Sequence, residues 1–190
     1  AGLYFGLTYQ DWDPVAKRPP SLNPVIRNNI VVQSGSMNDT VMEIRYADEL
    51  GGMNGLSGMP LMSNNRYYVQ GGTASFVDNR PASLFSGNLT LWQASISGDT
   101  ASTEGDPQFI NAAAENYHLS LTSPCVDNGT STDAPINDYD SVTRPLGQGY
   151  DIGAYERVST AEPNIQANGE GGQITVTPET PVTVTISLSA

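Results

Sequence analysis

Short β-forming runs, none long enough to bury an apolar face alone, are the feature that most limits what this chain can fold into. They include Gly2-Leu3-Tyr4-Phe5-Gly6, Val25-Ile26-Arg27-Asn28-Asn29-Ile30-Val31-Val32, Val41-Met42-Glu43-Ile44-Arg45-Tyr46 and Tyr67-Tyr68-Val69, each set off by Gly, Asn, Ser or Pro. β-Branched and aromatic residues bounded by turn formers read as strands. The runs begin at residues 3, 25, 41 and 61 to 67, a spacing of roughly 20 residues that falls in the range of stacked repeat architectures. Stacking solves the burial problem, because strands of successive coils pair in parallel around a shared core. Asn28-Asn29 and Asn64-Asn65 fit the corners of such a stack: Asn tolerates the left-handed conformation of a tight turn, and stacked amides bond one another. Ordinary loop asparagine is the competing reading.

The 190 residues suffice for one good-sized domain, or one domain and part of another, and no run approaches the roughly 20 apolar residues of a transmembrane helix. Twenty acids against eight bases give a formal charge of -12, and Lys17 is the single lysine. That balance argues against nucleic acid, whose phosphates need Lys and Arg. Residues 1–98 hold 7 acids and 6 bases, whereas residues 99–190 hold 13 acids and 2 bases, so the organisation is expected to change near residue 99. The chain opens on Ala1 without a charged segment leading into an apolar one, which reads as a processed chain or a fragment. Cys125 is the one cysteine and has no internal disulfide partner. Asn38, Asn88 and Asn128 open N-x-S/T acceptor sites for glycosylation.

These observations divide the chain into β coils over 1–98, a closing segment over 99–159, a polar linker over 160–172 and a hairpin over 173–190. One short helix is expected from Leu89 to Ser95, with Asn88 or Ser86 as N-cap and Leu91 and Trp92 packing. The five methionines, all between Met37 and Met62, read as fillers of irregular gaps under a loop. In the tail, Ile174, Val176, Val182, Val184, Ile186 and Leu188 alternate with Thr and Ser around Pro178 and Pro181. A lone hairpin is marginal, so this one is expected to pack on the body, begin a β-sandwich, or pair with another chain.

From Leu91 onward the sequence contains more specific phrases. Leu91-Trp92-Gln93, Asp106-Pro107-Gln108-Phe109, Asn116-Tyr117-His118-Leu119, Ser123-Pro124-Cys125-Val126-Asp127-Asn128-Gly129, Arg144-Pro145 and Asp151-Ile152-Gly153-Ala154-Tyr155-Glu156 follow in order. This series resembles the C-terminal end of bacterial right-handed parallel β-helix proteins of the choice-of-anchor Q type, over about a third of the chain. The resemblance implies an all-β fold, a right-handed parallel β-helix fragment ending in a closing segment, and a secreted or cell-surface location. Cys125 stands where the family pattern has Ala, and Asn116 replaces an acid.

Few residues offer reaction chemistry. His118 and Cys125 are single, which disfavours a hydrolytic triad or a zinc site. Structural roles are expected for both, since nothing basic adjoins Cys125. Glycoside hydrolysis needs paired carboxylates, for which Asp11 with Asp13, Asp48 with Glu49, or Asp78 are candidates. A uronate lyase would need cations, drawn from Lys17, Arg27, Arg45 and Arg66. In the acidic loop, Asp138, Asp140 and Asn137 offer hard oxygens for Ca²⁺. The alternative is that Asp127, Arg144, Asp151 and Glu156 lock the closing segment through ion pairs and turn caps, with no cofactor. Tyr4, Phe5, Tyr9, Trp12, Tyr46, Tyr67 and Tyr68 are candidates to stack on sugar rings, against core packing as the plainer reading.

The function expected is non-catalytic: adhesion, envelope structure or contact with a polysaccharide or another cell-envelope component, without nucleic acid and without membrane insertion. The alternatives are part of a polysaccharide lyase or glycoside hydrolase, and a self-assembling subunit that forms homo-oligomers through the C-terminal hairpin.

Overall fold

The computed structural model describes residues 2–5, 20–34, 39–48 and 52–157, with Tyr4 and Met53 described by their backbone alone. By its internal contacts the chain divides into two units, Ala1–Ser159 and Thr160–Ala190, and all described residues belong to the first. The expected linker and hairpin therefore lie outside the described residues.

Strand dominates. In chain order the first seven strands are β1 (Leu3–Phe5), β2 (Ser21–Leu22), β3 (Val25–Arg27), β4 (Ile30–Gln33), β5 (Thr40–Ile44), β6 (Tyr46–Ala47) and β7 (Met53–Asn54). There follow β8 (Leu56–Ser57), β9 (Leu61–Ser63), β10 (Arg66–Val69), β11 (Ser75–Asp78), β12 (Phe85–Gly87), helix α1 (Leu89–Ile96), β13 (Thr103–Glu104), β14 (Phe109–Asn111) and β15 (Asn116–Leu119). The sheets are small, the largest being β1-β5-β11-β12, beside β13-β10-β4 and several two-stranded pairs. No helix among the described residues is long and apolar enough to cross a membrane.

Pairing is mostly parallel and joins residues far apart in sequence. Leu3 faces Met42 and Met42 faces Phe76; Val25 faces Leu61; Ile30 faces Arg66 and Arg66 faces Thr103; Ser21 faces Leu56. Partners thus stand 34 to 39 residues apart, which corrects the spacing of about 20 read from the sequence. Adjacent runs are successive strands along the chain, and pairing links every second run. The parallel ladder also reaches Thr103 and Glu104, beyond the change of organisation expected near residue 99. The antiparallel pairs are β6 with β7, β11 with β12, and, beyond the parallel ladder, β14 with β15.

The side chains facing inward explain the ladder. Val41, Met42, Ile44, Leu56 and Phe76 are fully buried, and Tyr67 and Trp92 join them. Phe76 stacks on Trp92 with centroids 5.7 Å apart and receives Tyr67 edge-on at 4.9 Å. Each such aromatic contributes roughly 1.5–3 kcal/mol by leaving water, which short strands could not gain singly. Met42 and Met62 lie in this core. The helix begins one residue after Asn88, whose Oδ1 accepts the Leu91 N–H at 3.1 Å, as its N-cap. Its packing residues are Leu89 and Trp92; Leu91, expected to pack, is more than half exposed.

At the corners, Asn28 and Asn64 take positive φ (55° and 52°), and the following asparagines stack. The Asn65 Oδ1 accepts from the Asn29 backbone N–H at 3.0 Å and from its Nδ2 at 3.2 Å. The Asn65 Nδ2 donates to the Ile26 carbonyl at 2.9 Å, and its backbone N–H to Ser102 Oγ at 2.7 Å. Asn65 is wholly buried, so its amide has no water to substitute for these partners.

Replacing Asn65 by Ala is expected to lower the unfolding free energy by roughly 2–4 kcal/mol, because a buried N–H and a buried carbonyl lose their partners. Urea titration with the slope unchanged checks this, and a loss under about 1 kcal/mol would show that the amide ladder contributes little.

Candidate functional site

Two groups of side chains stand out in the closing segment: a buried lock and an aromatic groove that the lock holds open. The lock is built on Arg144. Its guanidinium pairs with Glu156 at 3.1 Å and donates to the carbonyls of Gly153 at 2.8 Å and Asp151 at 3.4 Å. Both partners of the ion pair are almost wholly buried. Glu156 in turn accepts the backbone N–H groups of Leu146 and Asp151, at 3.0 and 3.1 Å. The carboxylate of Asp151 accepts from the Asp127 and Arg157 N–H groups at 2.8 and 2.6 Å, and Asp127 accepts from Gly149 at 2.8 Å. All four residues read from the sequence as a lock thus converge.

Glycine makes that convergence possible at two points. A Cβ on Gly129 would sit 2.7 Å from the carbonyl oxygens of Tyr150 and Asp151. One on Gly153, which has φ +116°, would meet Ile30 at 2.8 Å. The lock is also fastened to the strand corners: Asn28 donates to the Thr130 carbonyl and accepts its N–H, both at 2.8 Å, while Asn64 donates to the Asn128 carbonyl at 3.0 Å. Cys125 lies buried between Leu119 and Ile152, and burial pushes its thiol pKa up, which suits packing rather than nucleophilic attack.

The carboxylates of the acidic loop are engaged by neighbouring groups. Asp138 accepts on Oδ1 the N–H groups of Asp140 and Val142 and on Oδ2 that of Glu156, at 2.9, 2.8 and 2.9 Å. Asp140 instead meets His118 Nε2 at 2.7 Å, and Asn137 bridges Thr143 through the backbone. Among the described residues no group of three or more His, Cys, Asp or Glu is arranged to hold a metal. The Asp138 oxygens thus cap turns through backbone N–H groups, the role weighed against Ca²⁺ binding by Asp138, Asp140 and Asn137.

An open groove of about 1130 Å³ runs between the outward face of β4 and β10 and the closing segment. Tyr68, Phe109, Tyr117, Tyr139 and Tyr155 line it. Phe109 and Tyr117 meet edge to face at 5.4 Å; Tyr155 stacks on His118 at 4.0 Å and receives Tyr139 edge-on at 5.6 Å. The Tyr139 N–H donates to the Ala154 carbonyl at 2.8 Å, which fixes the backbone while the ring stays 77 % exposed. His118 is held from its other side by Asn116 Oδ1, 2.7 Å from Nδ1. The arrangement offers ring faces to a ligand, with Asp106 and Glu115 as the acids among its described lining residues.

Of the described aromatics singled out in the sequence, Tyr68 lines this groove. Tyr67 is corrected: it is fully buried, with its hydroxyl on Asp99 at 3.1 Å, and cannot meet a ligand from outside. Tyr46 lies away from the groove, near Asp48. Phe5 is half-buried against the core. The Tyr4 side chain, Tyr9 and Trp12 lie outside the described residues, as do Asp11, Asp13, Lys17 and Glu49. Asp78 is also corrected as a candidate acid, since it is fully buried and clamped by Arg80 at 2.6 to 3.1 Å. Arg27 pairs with Asp133, and Arg66 is engaged by Thr103, Gly105 and Asp106.

Removing one partner of the buried pair, in Arg144→Met, is expected to cost about 3–5 kcal/mol by stranding the Glu156 charge. Adding Glu156→Gln should restore part of that, and a double variant no more stable than the single one would remove the ion pair from the account. Burial raises the Asp151 pKa to about 6, with Glu156 and Asp127 adding to the rise against its two N–H donors. A carboxyl raised on folding stabilises fully below its unfolded pKa near 4, and that contribution is lost as pH rises through about 6. Relative to Asp151→Asn, the native chain should therefore gain stability between pH 7 and pH 5 in urea titrations.

Compared with known proteins, the chain matches no family model, no curated protein and no solved structure.

Proposed function

We propose that this chain is a non-catalytic, secreted or cell-surface right-handed parallel β-helix that contacts polysaccharide, in adhesion or in the structure of the cell envelope. Parallel ladders whose partners stand 34 to 39 residues apart, with an amide ladder at the corners, support the β-helix reading. The resemblance to choice-of-anchor Q proteins belongs to the same proposal. It is supported by the roles of its phrases, because Ser123 to Gly129, Arg144 and Asp151 to Glu156 are the residues that make the lock.

The observation that carries the reading is the groove. Its aromatic rings are held in place by backbone and ring contacts, with Tyr117 and Tyr139 exposed and Tyr68, Phe109 and Tyr155 half-buried, a surface on which C–H faces of sugars can stack. Of the described carboxylates offered for hydrolysis, Asp78 is enclosed by Arg80 and Asp48 does not line the groove.

Affinity electrophoresis through gels containing soluble polysaccharides tests this. Retardation by at least one polysaccharide is expected, with Tyr139→Ala raising the dissociation constant about tenfold, a change of about 1.4 kcal/mol. Release of reducing or unsaturated ends from the bound polymer would replace the non-catalytic reading with a hydrolase or a lyase.

A further inference from the structure

Resting on the polysaccharide reading, we propose that the groove selects an uncharged pyranose polysaccharide and excludes polyuronates. Among the described residues, the charged ones lining it are Asp106 and Glu115, both acids, with no Lys, Arg or His. A uronate carboxylate entering the groove needs a cation or unpaired N–H groups to replace its water. It would instead meet like charge, on a chain whose formal charge is -12.

The described cations near it are committed elsewhere. Arg66 donates through Nε to the Gly105 carbonyl at 2.8 Å, through Nη1 to Thr103 Oγ1 at 2.8 Å and through Nη2 to the Asp106 carbonyl at 3.3 Å. Arg27 is paired with Asp133. His118 stands behind the Tyr155 ring with Asn116 on Nδ1 and Asp140 on Nε2, both at 2.7 Å. Arg144 is buried in the lock, and Arg157 donates to the Leu119 carbonyl at 3.0 Å.

What the groove offers in place of cations suits hydroxyl groups. Among the described residues, the hydroxyls of Tyr68, Tyr117 and Tyr139, the Gln70 amide and the Glu115 carboxylate enter no hydrogen bond. Asp106 accepts the Gln108 N–H on Oδ1 at 2.7 Å, and its other oxygen faces no donor among the described residues. These acceptors and two-way hydroxyls match the donors of a neutral sugar, while the rings take its C–H faces. Hydroxyl donors are the one feature of a neutral pyranose that a carboxylate pair can use.

The experiment runs the native chain through gels containing hydroxyethylcellulose, arabinoxylan or galactomannan, and through gels containing polygalacturonate or alginate, each with EDTA and again with Ca²⁺. Expected are retardation by at least one neutral polymer, none by either polyuronate, and about tenfold weaker neutral binding in Tyr139→Ala, whose exposed ring leaves the fold unchanged by circular dichroism. The double variant Asp106→Lys/Glu115→Lys should gain retardation by polygalacturonate at low salt and lose it at high salt. Native binding to a polyuronate, with or without Ca²⁺, overturns this inference and leaves the polysaccharide reading standing. Binding to neither class overturns both.

Discussion

The asparagine corner is the constraint on which the rest depends. A short strand gains little unless its neighbour along the ladder is held in register, and the stacked amides of Asn29 and Asn65 supply that register from inside the turn. Their neighbours Asn28 and Asn64 take the left-handed conformation, and their side chains bind the backbone of residues 128 to 130 instead. One pair of adjacent residues thus stacks the strands with one side chain and anchors the closing segment with the other. Register and closure share a single origin.

The lock extends that logic in a charged form. Burying Arg144 and Glu156 is costly unless their polar atoms find partners, and here the surrounding backbone supplies them to both the Arg144 Nη atoms and the Glu156 carboxylate, while Arg144 Nε has no partner among the described residues. The outcome is a segment with little regular secondary structure that is held by side-chain-to-backbone bonds. Asp138 caps the turn that carries Tyr139, and the Tyr139 N–H is tied to Ala154. The rings of Tyr139 and Tyr155 are therefore positioned by the lock, so the groove depends on buried charges that never touch a ligand.

Much of this scaffold was legible from residues close in sequence. The asparagine pairs, the Asn88 cap and the four lock residues each show in short phrases, because capping and left-handed turns are decided within a few residues. The groove was not. Tyr139 and Tyr155 carry no local mark that separates them from any exposed tyrosine, and Tyr67 sits beside Tyr68 in one strand with the opposite fate. Alternation along β10 would have put the two on opposite faces, yet nothing in the run says which face is the core. What engages the acidic loop was hidden for a related reason: Asp138 accepts the Glu156 N–H, 18 residues away, a contact that spacing within the loop does not reveal.

By itself the sequence determined that this chain forms short strands that must pair with others, where it turns, and which residues fasten its closing segment, since these follow from backbone preferences and hydrogen-bonding capacity at neighbouring positions. Only the tertiary structure decided that pairing joins every second run and that the open aromatics belong to the closing segment. It also decided that the nearby arginines are already engaged. Those outcomes depend on residues brought together from 30 to more than 100 positions apart, and burial and charge pairing exist only once those neighbours are chosen.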